Sequence, residues 1–203
     1  MSNSGNNSSS KLVFSLIVGI PLLVIAFSSL LYMLANRDVV SLGTVNNGTL
    51  IQPPLQIDKL APIHRNGEPV AFNEIDSLWQ FVVIGDGYCE ANCEAMLYLT
   101  RQTHTALGKK MGRVGRMYLN TDKEFGAQLD QLLIDEHEKL TSAFIDGAAF
   151  RASNLPLGDE ARGFYVVDPK GWVMMFYQLP DLEQETLTSM GKLVIKDMKR
   201  LLR

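Results

Sequence analysis

The chain has 203 residues, 46% of them hydrophobic, and a formal net charge of -3 from 19 Lys and Arg against 22 Asp and Glu. That length holds one ordinary domain plus an appendage. The mildly acidic balance, with no basic patch interleaved with aromatic residues, argues against nucleic-acid binding.

The appendage comes first. Residues 1–11 form a tail rich in Ser, Asn and Gly, predicted to be disordered. Leu12 to Ala35 is almost wholly apolar and uncharged. At about 1.5 Å per helical residue it is long enough to cross a hydrocarbon core of about 30 Å. Gly19 and Pro21 interrupt it, and both are tolerated in membrane helices. A cleaved leader has a shorter apolar core of about 7–15 residues, so an uncleaved anchor is predicted over 12–35. Lys11 on one flank and Arg37 with Asp38 on the other nearly balance. The simple reading keeps the short N-terminus inside. The C-terminal domain is then outside the inner membrane, in a bacterial periplasm where disulfides persist.

Residues 36–62 read as a tether, punctuated by Gly43, Asn46, Asn47, Gly48, Pro53, Pro54 and Pro62. The folded domain is predicted over 63–203. Asn66-Gly67 suits a tight turn between Ile63-His64 and Val70-Ala71-Phe72. Leu78 to Ile84 is a continuous apolar run broken only by Gln80, the pattern of a strand buried on both faces. Gly85-Asp86-Gly87 ends it, and 90–107 has helical periodicity, with Gly108 as a stop. Val114 to Leu119 is the next strand. Phe125, Leu129, Leu132 and Leu133 mark a second helix, and 140–145 a short strand. A loop rich in Ala, Gly and Pro is predicted from there to about Arg162. Phe164 to Val167 and Trp172 to Tyr177 flank Asp168-Pro169-Lys170-Gly171, a strong hairpin signal. Asp181 to Arg203 is a final amphipathic helix, with Leu187, Met190, Val194 and Leu201 on its apolar side. Strand–helix alternation followed by a hairpin and a helix predicts an α/β fold. Its central mixed sheet with flanking helices is the thioredoxin-like pattern, behind a single transmembrane helix.

The chain's two cysteines, Cys89 and Cys93, stand four residues apart at the first strand-to-helix junction. Cys89 falls at the helix N-terminus, where unpaired N–H groups and the helix dipole favour a thiolate. Cys93 is one turn further on the same face, within reach of a disulfide. Glu90 and Glu94 oppose thiolate formation. The pair is open to three readings: a reversible redox couple, a soft-metal site, or a static bridge. Of the histidines, His104 lies too far along the helix from Cys89 to share an ion. His137 reads as a solvated residue in Asp135-Glu136-His137-Glu138-Lys139, and His64 has no assigned role. Trp172, Met174 and Met175 read as core rather than as a methionine-rich metal site.

With these residues in view, the chain resembles the Sco/SenC family of thioredoxin-like copper proteins of cytochrome c oxidase assembly. The resemblance runs from about Leu78 to Arg203. It rests on the anchor, on Cys-x-x-x-Cys after the first buried strand, and on Phe164-Tyr165-Val166-Val167-Asp168-Pro169-Lys170-Gly171. The chain is also similar to small anchored oxidase-associated proteins of bacteria. The resemblance implies an accessory or assembly role for a respiratory oxidase, with its subunits or assembly factors as partners. It implies copper as a candidate cofactor, with Cys89 and Cys93 as ligands and a third ligand unassigned. The match departs where Sco proteins carry a ligand His, a position held here by Glu160. It departs again where thioredoxin places a cis-Pro facing its cysteines, a position held by Gly163. The alternatives are a thiol–disulfide oxidoreductase, with Cys89 attacking and Cys93 resolving, and a structural subunit with a static disulfide.

Overall fold

The computed structural model describes residues 7–36, 46–72, 78–156 and 162–203. The chain divides into two compact units, 1–45 and 46–203. In the first, α1 (Asn7–Asn36) is a continuous helix through Pro21. Its Lys11–Leu34 stretch is long and apolar enough to cross a membrane.

The second unit is built on a seven-stranded mixed sheet with strand order β1-β7-β6-β3-β4-β5-β2. The strands are β1 (Thr49–Gln56), β2 (Ile63–His64), β3 (Trp79–Gly85), β4 (Val114–Asn120), β5 (Thr141–Phe144), β6 (Gly163–Val167) and β7 (Trp172–Gln178). The crossover helix α2 (Ala91–Ala106) joins parallel β3 to β4, and α3 (Ala127–Glu136) joins β4 to parallel β5. The predicted hairpin is β6–β7, antiparallel, and β6 pairs antiparallel with β3. The helix α5 (Gln184–Leu201) closes the domain and packs along α2.

Alternation along the strands explains the two-sided core, and the β6–β7 register shift sets Val173 and Met175 on opposite faces. Phe81, Val83, Tyr118, Phe164, Val166, Met175 and Tyr177 point to the face covered by α2, α3 and α5. Val82, Met117, Leu119, Tyr165, Val167, Val173 and Phe176 point to the other. There Ile57 and Leu60 of a 3-10 turn and Phe150 of α4 (Gly147–Ala152) cover them.

The structure differs from the sequence reading in several places; α1 already starts at Asn7, inside the tail expected to be disordered. Part of the expected tether is folded: β1 and the 3-10 turn Ile57–Leu60 lie within 36–62, and the compact unit starts at Asn46. Pro53 and Pro54 concealed this strand. They are tolerated because β1 is a sheet edge whose pairing with β7 shifts register between Leu50 and Leu55. The predicted loop after β5 contains α4, whose N-cap Asp146 accepts from the Ala148 backbone N–H at 2.8 Å. The Asn66-Gly67 turn forms, with Gly67 at φ 88, but its return leg makes only a single bridge, Ile63 to Pro69.

Candidate functional site

The β3–α2 junction carries Cys89 and Cys93, joined as a disulfide with Cα atoms 5.0 Å apart. Cys93 lies in the first turn of α2, while Cys89 precedes the helix in left-handed backbone at φ 53. A non-glycine residue there costs about 1–2 kcal/mol and persists only where its surroundings hold it. They do so here. Asp86 Oδ1 accepts from the Tyr88 and Cys89 backbone N–H groups at 2.9 and 3.1 Å. Both cysteines are buried, at 3% and 8% exposure, whereas the neighbouring Tyr88 is 72% exposed.

A second loop, after β4, braces the first. The Thr121 backbone N–H and hydroxyl donate to Gly85 O, at 2.9 and 3.1 Å. Gly87 N–H donates to Asp122 Oδ2 at 3.0 Å, and Gly126 N–H to Gly87 O at 2.8 Å. The contact is so close that a Cβ on Gly87 would stand 2.6 Å from Glu124 O. Gly87, Tyr88 and residues 122–126 line a shallow hollow of about 300 Å³ beside the disulfide.

Under the bridge lies Tyr118 of β4, fully buried. Its hydroxyl donates to Asp86 O at 2.5 Å and stands 3.8 Å from Cys93 Sγ. Burial first, then the charges of Asp86 and Asp122, push its pKa above the ordinary tyrosine value, so it stays protonated. Gly85 makes room for it, since a Cβ at that position would collide with the Tyr118 hydroxyl. Replacing Gly85 with Ala should therefore cost about 1–3 kcal/mol through overpacking. Urea melts of the two chains check this, and an unchanged midpoint would show that the hydroxyl moves aside freely. Tyr118 does not stand out among the candidate site residues of the sequence. A polar-tipped aromatic between Met117 and Leu119 in a central strand was the available signal.

Glu90 is the N-cap residue of α2 in extended backbone, and both it and Glu94 are exposed at the helix start. His104 Nε2 is 2.7 Å from Val114 O, and burial lowers its pKa. His137 corrects the solvated reading: it is 4% exposed, with Nδ1 3.0 Å from Arg116 Nη2. Arg116, also buried, donates to Leu97 O at 3.0 Å. Burial first, then Arg116 and Arg101, lower the His137 pKa to about 4. His64 lies on edge strand β2, on the far side of β4 and β5 from β3. At about 4.8 Å per strand that is roughly 14 Å from the cysteine strand. Met175 is buried in the core and Met174 packs against it, as expected. Gly163 opens β6, where the ring of Phe176 and the backbone of Tyr177 fill the space a side chain would need. Glu160 lies outside the described residues.

Residues 79–203 match the family described as transmembrane-like, thioredoxin-like, C-terminal domain. Among solved structures, yeast Sco1 with copper bound is 14% identical, with 77% of this chain and 95% of that chain covered at a TM-score of 0.51. Arabidopsis thaliana ScoI with copper bound is 13% identical, covering 77% and 99% at 0.49. Bradyrhizobium japonicum ScoI with copper bound is 18% identical, covering 72% and 96% at 0.45. No curated protein matches the chain in sequence. At such identities the likeness concerns the fold, and the yeast structure carries it: the domain has the Sco-like thioredoxin fold.

Proposed function

The chain belongs to the transmembrane-like, thioredoxin-like, C-terminal domain family, and on that premise we propose that it is a membrane-anchored accessory protein of a respiratory cytochrome c oxidase. Its work is thiol handling through reversible opening of Cys89–Cys93. The domain faces the periplasm of a bacterial inner membrane, where the pair meets cysteine-bearing oxidase subunits or assembly factors. The observation that carries this reading is the disulfide itself. It closes at the start of α2, at the end of a central strand, on a loop whose backbone N–H groups are held by the Asp86 carboxylate.

The burial of both cysteines favours a static bridge as the alternative. The reduction potential decides between them. Titrated in thiol–disulfide buffers, a working pair should come to equilibrium at about -120 to -230 mV. A value below about -300 mV marks a structural bridge and overturns the exchange reading. Co-purification of oxidase subunits with the anchored chain tests the partner separately.

Copper is a second reading, because the yeast neighbour was solved with copper bound. Once reduced, Cys89 and Cys93 offer two thiolates, soft donors that suit Cu(I). The described residues supply no third: none forms a group of three His, Cys, Asp or Glu, and the rings of His104 and His137 are engaged with Val114 and Arg116. Anaerobic Cu(I) titration of the reduced chain, with Cys89→Ser as control, measures whether two donors suffice.

A further inference from the structure

We propose that Tyr118 is a positioning residue that makes Cys93 the leaving sulfur, and so directs an incoming thiolate to Cys89, when the bridge opens. This rests on the thiol-exchange reading above. The Tyr118 hydroxyl sits in the core with two neighbours, Asp86 O at 2.5 Å and Cys93 Sγ at 3.8 Å, and it has one hydrogen to give. While the disulfide is intact its sulfur is a weak acceptor, and the carbonyl holds that hydrogen.

Attack changes the competition. A thiolate of a cysteine-bearing partner bonds to Cys89 Sγ, the Cys89–Cys93 bond breaks, and the electron pair stays on Cys93 Sγ. A thiolate now lies beside the hydroxyl, and a hydrogen bond to an ionised acceptor is about twice as strong as one to a neutral carbonyl. The hydroxyl turns to Cys93 without losing its proton. A second thiol of the partner then attacks the mixed disulfide and releases Cys89. The partner dithiol has become a disulfide, this chain's disulfide a dithiol, and the partner's two protons pass through solvent to the two cysteines. Attack on Cys93 would instead leave the charge on Cys89, where the start of α2 offers its dipole but the Cys89 backbone N–H is already engaged by Asp86 Oδ1. Because a better-stabilised leaving thiolate leaves faster, the hydroxyl biases the site of attack.

Glutathione is the probe. The full chain in detergent is mixed with reduced glutathione and quenched in acid, and the adduct is located by mass spectrometry. In the wild type the adduct should favour Cys89 over Cys93 by about tenfold, and in Tyr118→Phe it should approach parity, with exchange about tenfold slower. Phe125→Leu loosens the packing on the Tyr118 ring, whose centroid is 6.1 Å away, and keeps the hydroxyl. It should retain the wild-type preference. A wild-type adduct mainly on Cys93 overturns the assignment even if Tyr118→Phe does not fold. So does an unchanged preference in Tyr118→Phe, or an equal loss in Phe125→Leu. All three leave exchange itself standing. A wild-type chain that takes up no glutathione overturns the exchange reading, and the assignment with it.

Discussion

Replacing Asp197 with Ala should destabilise the domain by about 4 kcal/mol, because it strands two buried donors at about 1–3 kcal/mol each and loosens others. Asp197 is 1% exposed on α5. Its carboxylate accepts from the Asn47 backbone N–H and side chain, both at 2.7 Å, and from Gly48 N–H at 3.3 Å. It also accepts from the Tyr177 hydroxyl at 2.9 Å, and Arg200 approaches at 3.5 Å. Burial, followed by the bond to Asp197, raises the Tyr177 pKa, so that hydroxyl remains a donor. The side chain thus fastens the start of the domain to its last helix and to β7. In a domain of this size the loss corresponds to a fall in Tm of roughly 8–16 °C. Tyr177→Phe removes one donor together with its need and should cost about 1 kcal/mol. Trp79 and Trp172 both lie in this unit, so tryptophan fluorescence during urea or heat unfolding reads it in the full chain. An Asp197→Ala midpoint matching that of Tyr177→Phe would show that water satisfies the stranded groups.

Acid should weaken the domain through His137. Unfolded, this ring takes up a proton near pH 6.5; folded, it does so only near pH 4, because it is buried beside Arg116 and Arg101. Between those values the unfolded state binds the extra proton, so stability falls as pH falls. The contribution is complete above about pH 6.5 and gone below about pH 4. It amounts to on the order of 2 kcal/mol once the full shift is discounted for solvent screening. His137→Gln keeps an acceptor for Arg116 but cannot charge. It should begin about 1 kcal/mol lower at pH 7 and lose less on acidification. The lowered pKa of His104 bends both curves the same way, so the difference between the two chains is the readout. Parallel curves would mean that His137 takes up its proton at the same pH folded and unfolded.

Much of this architecture was legible because continuous apolar runs and period-3.6 patterns survive locally. Phe81 to Ile84, Val114 to Leu119 and the hairpin around Asp168 each announced their strands, and Cys89 and Cys93 fell at the junction those patterns implied. What was hidden depends on distant partners. The burial of His137 follows from Arg116, 21 residues earlier in sequence, reaching between Leu97 O and the ring. The run Asp135 to Lys139 gives no hint of it. Asp197 continues the apolar spacing of Leu187, Met190 and Val194, so a carboxylate within that stripe was a readable anomaly. Its partners, Asn47 and Gly48, lie in a stretch whose Gly, Asn and Pro content suggests a tether. Tyr118 could be seen as a core residue, but its alignment with Cys93 required the register that sets Val83 opposite it.

The brace between residues 85–89 and 121–126 bears on how fast the bridge re-forms. Its hydrogen bonds run from backbone to backbone, from the Thr121 hydroxyl to Gly85 O, or from backbone N–H groups to the carboxylates of Asp86 and Asp122, and none of them uses a sulfur. The loop therefore keeps its shape when the two sulfurs part. Each thiol then meets the other at the high effective molarity of a pre-oriented intramolecular pair, and ring closure proceeds with little entropy left to lose.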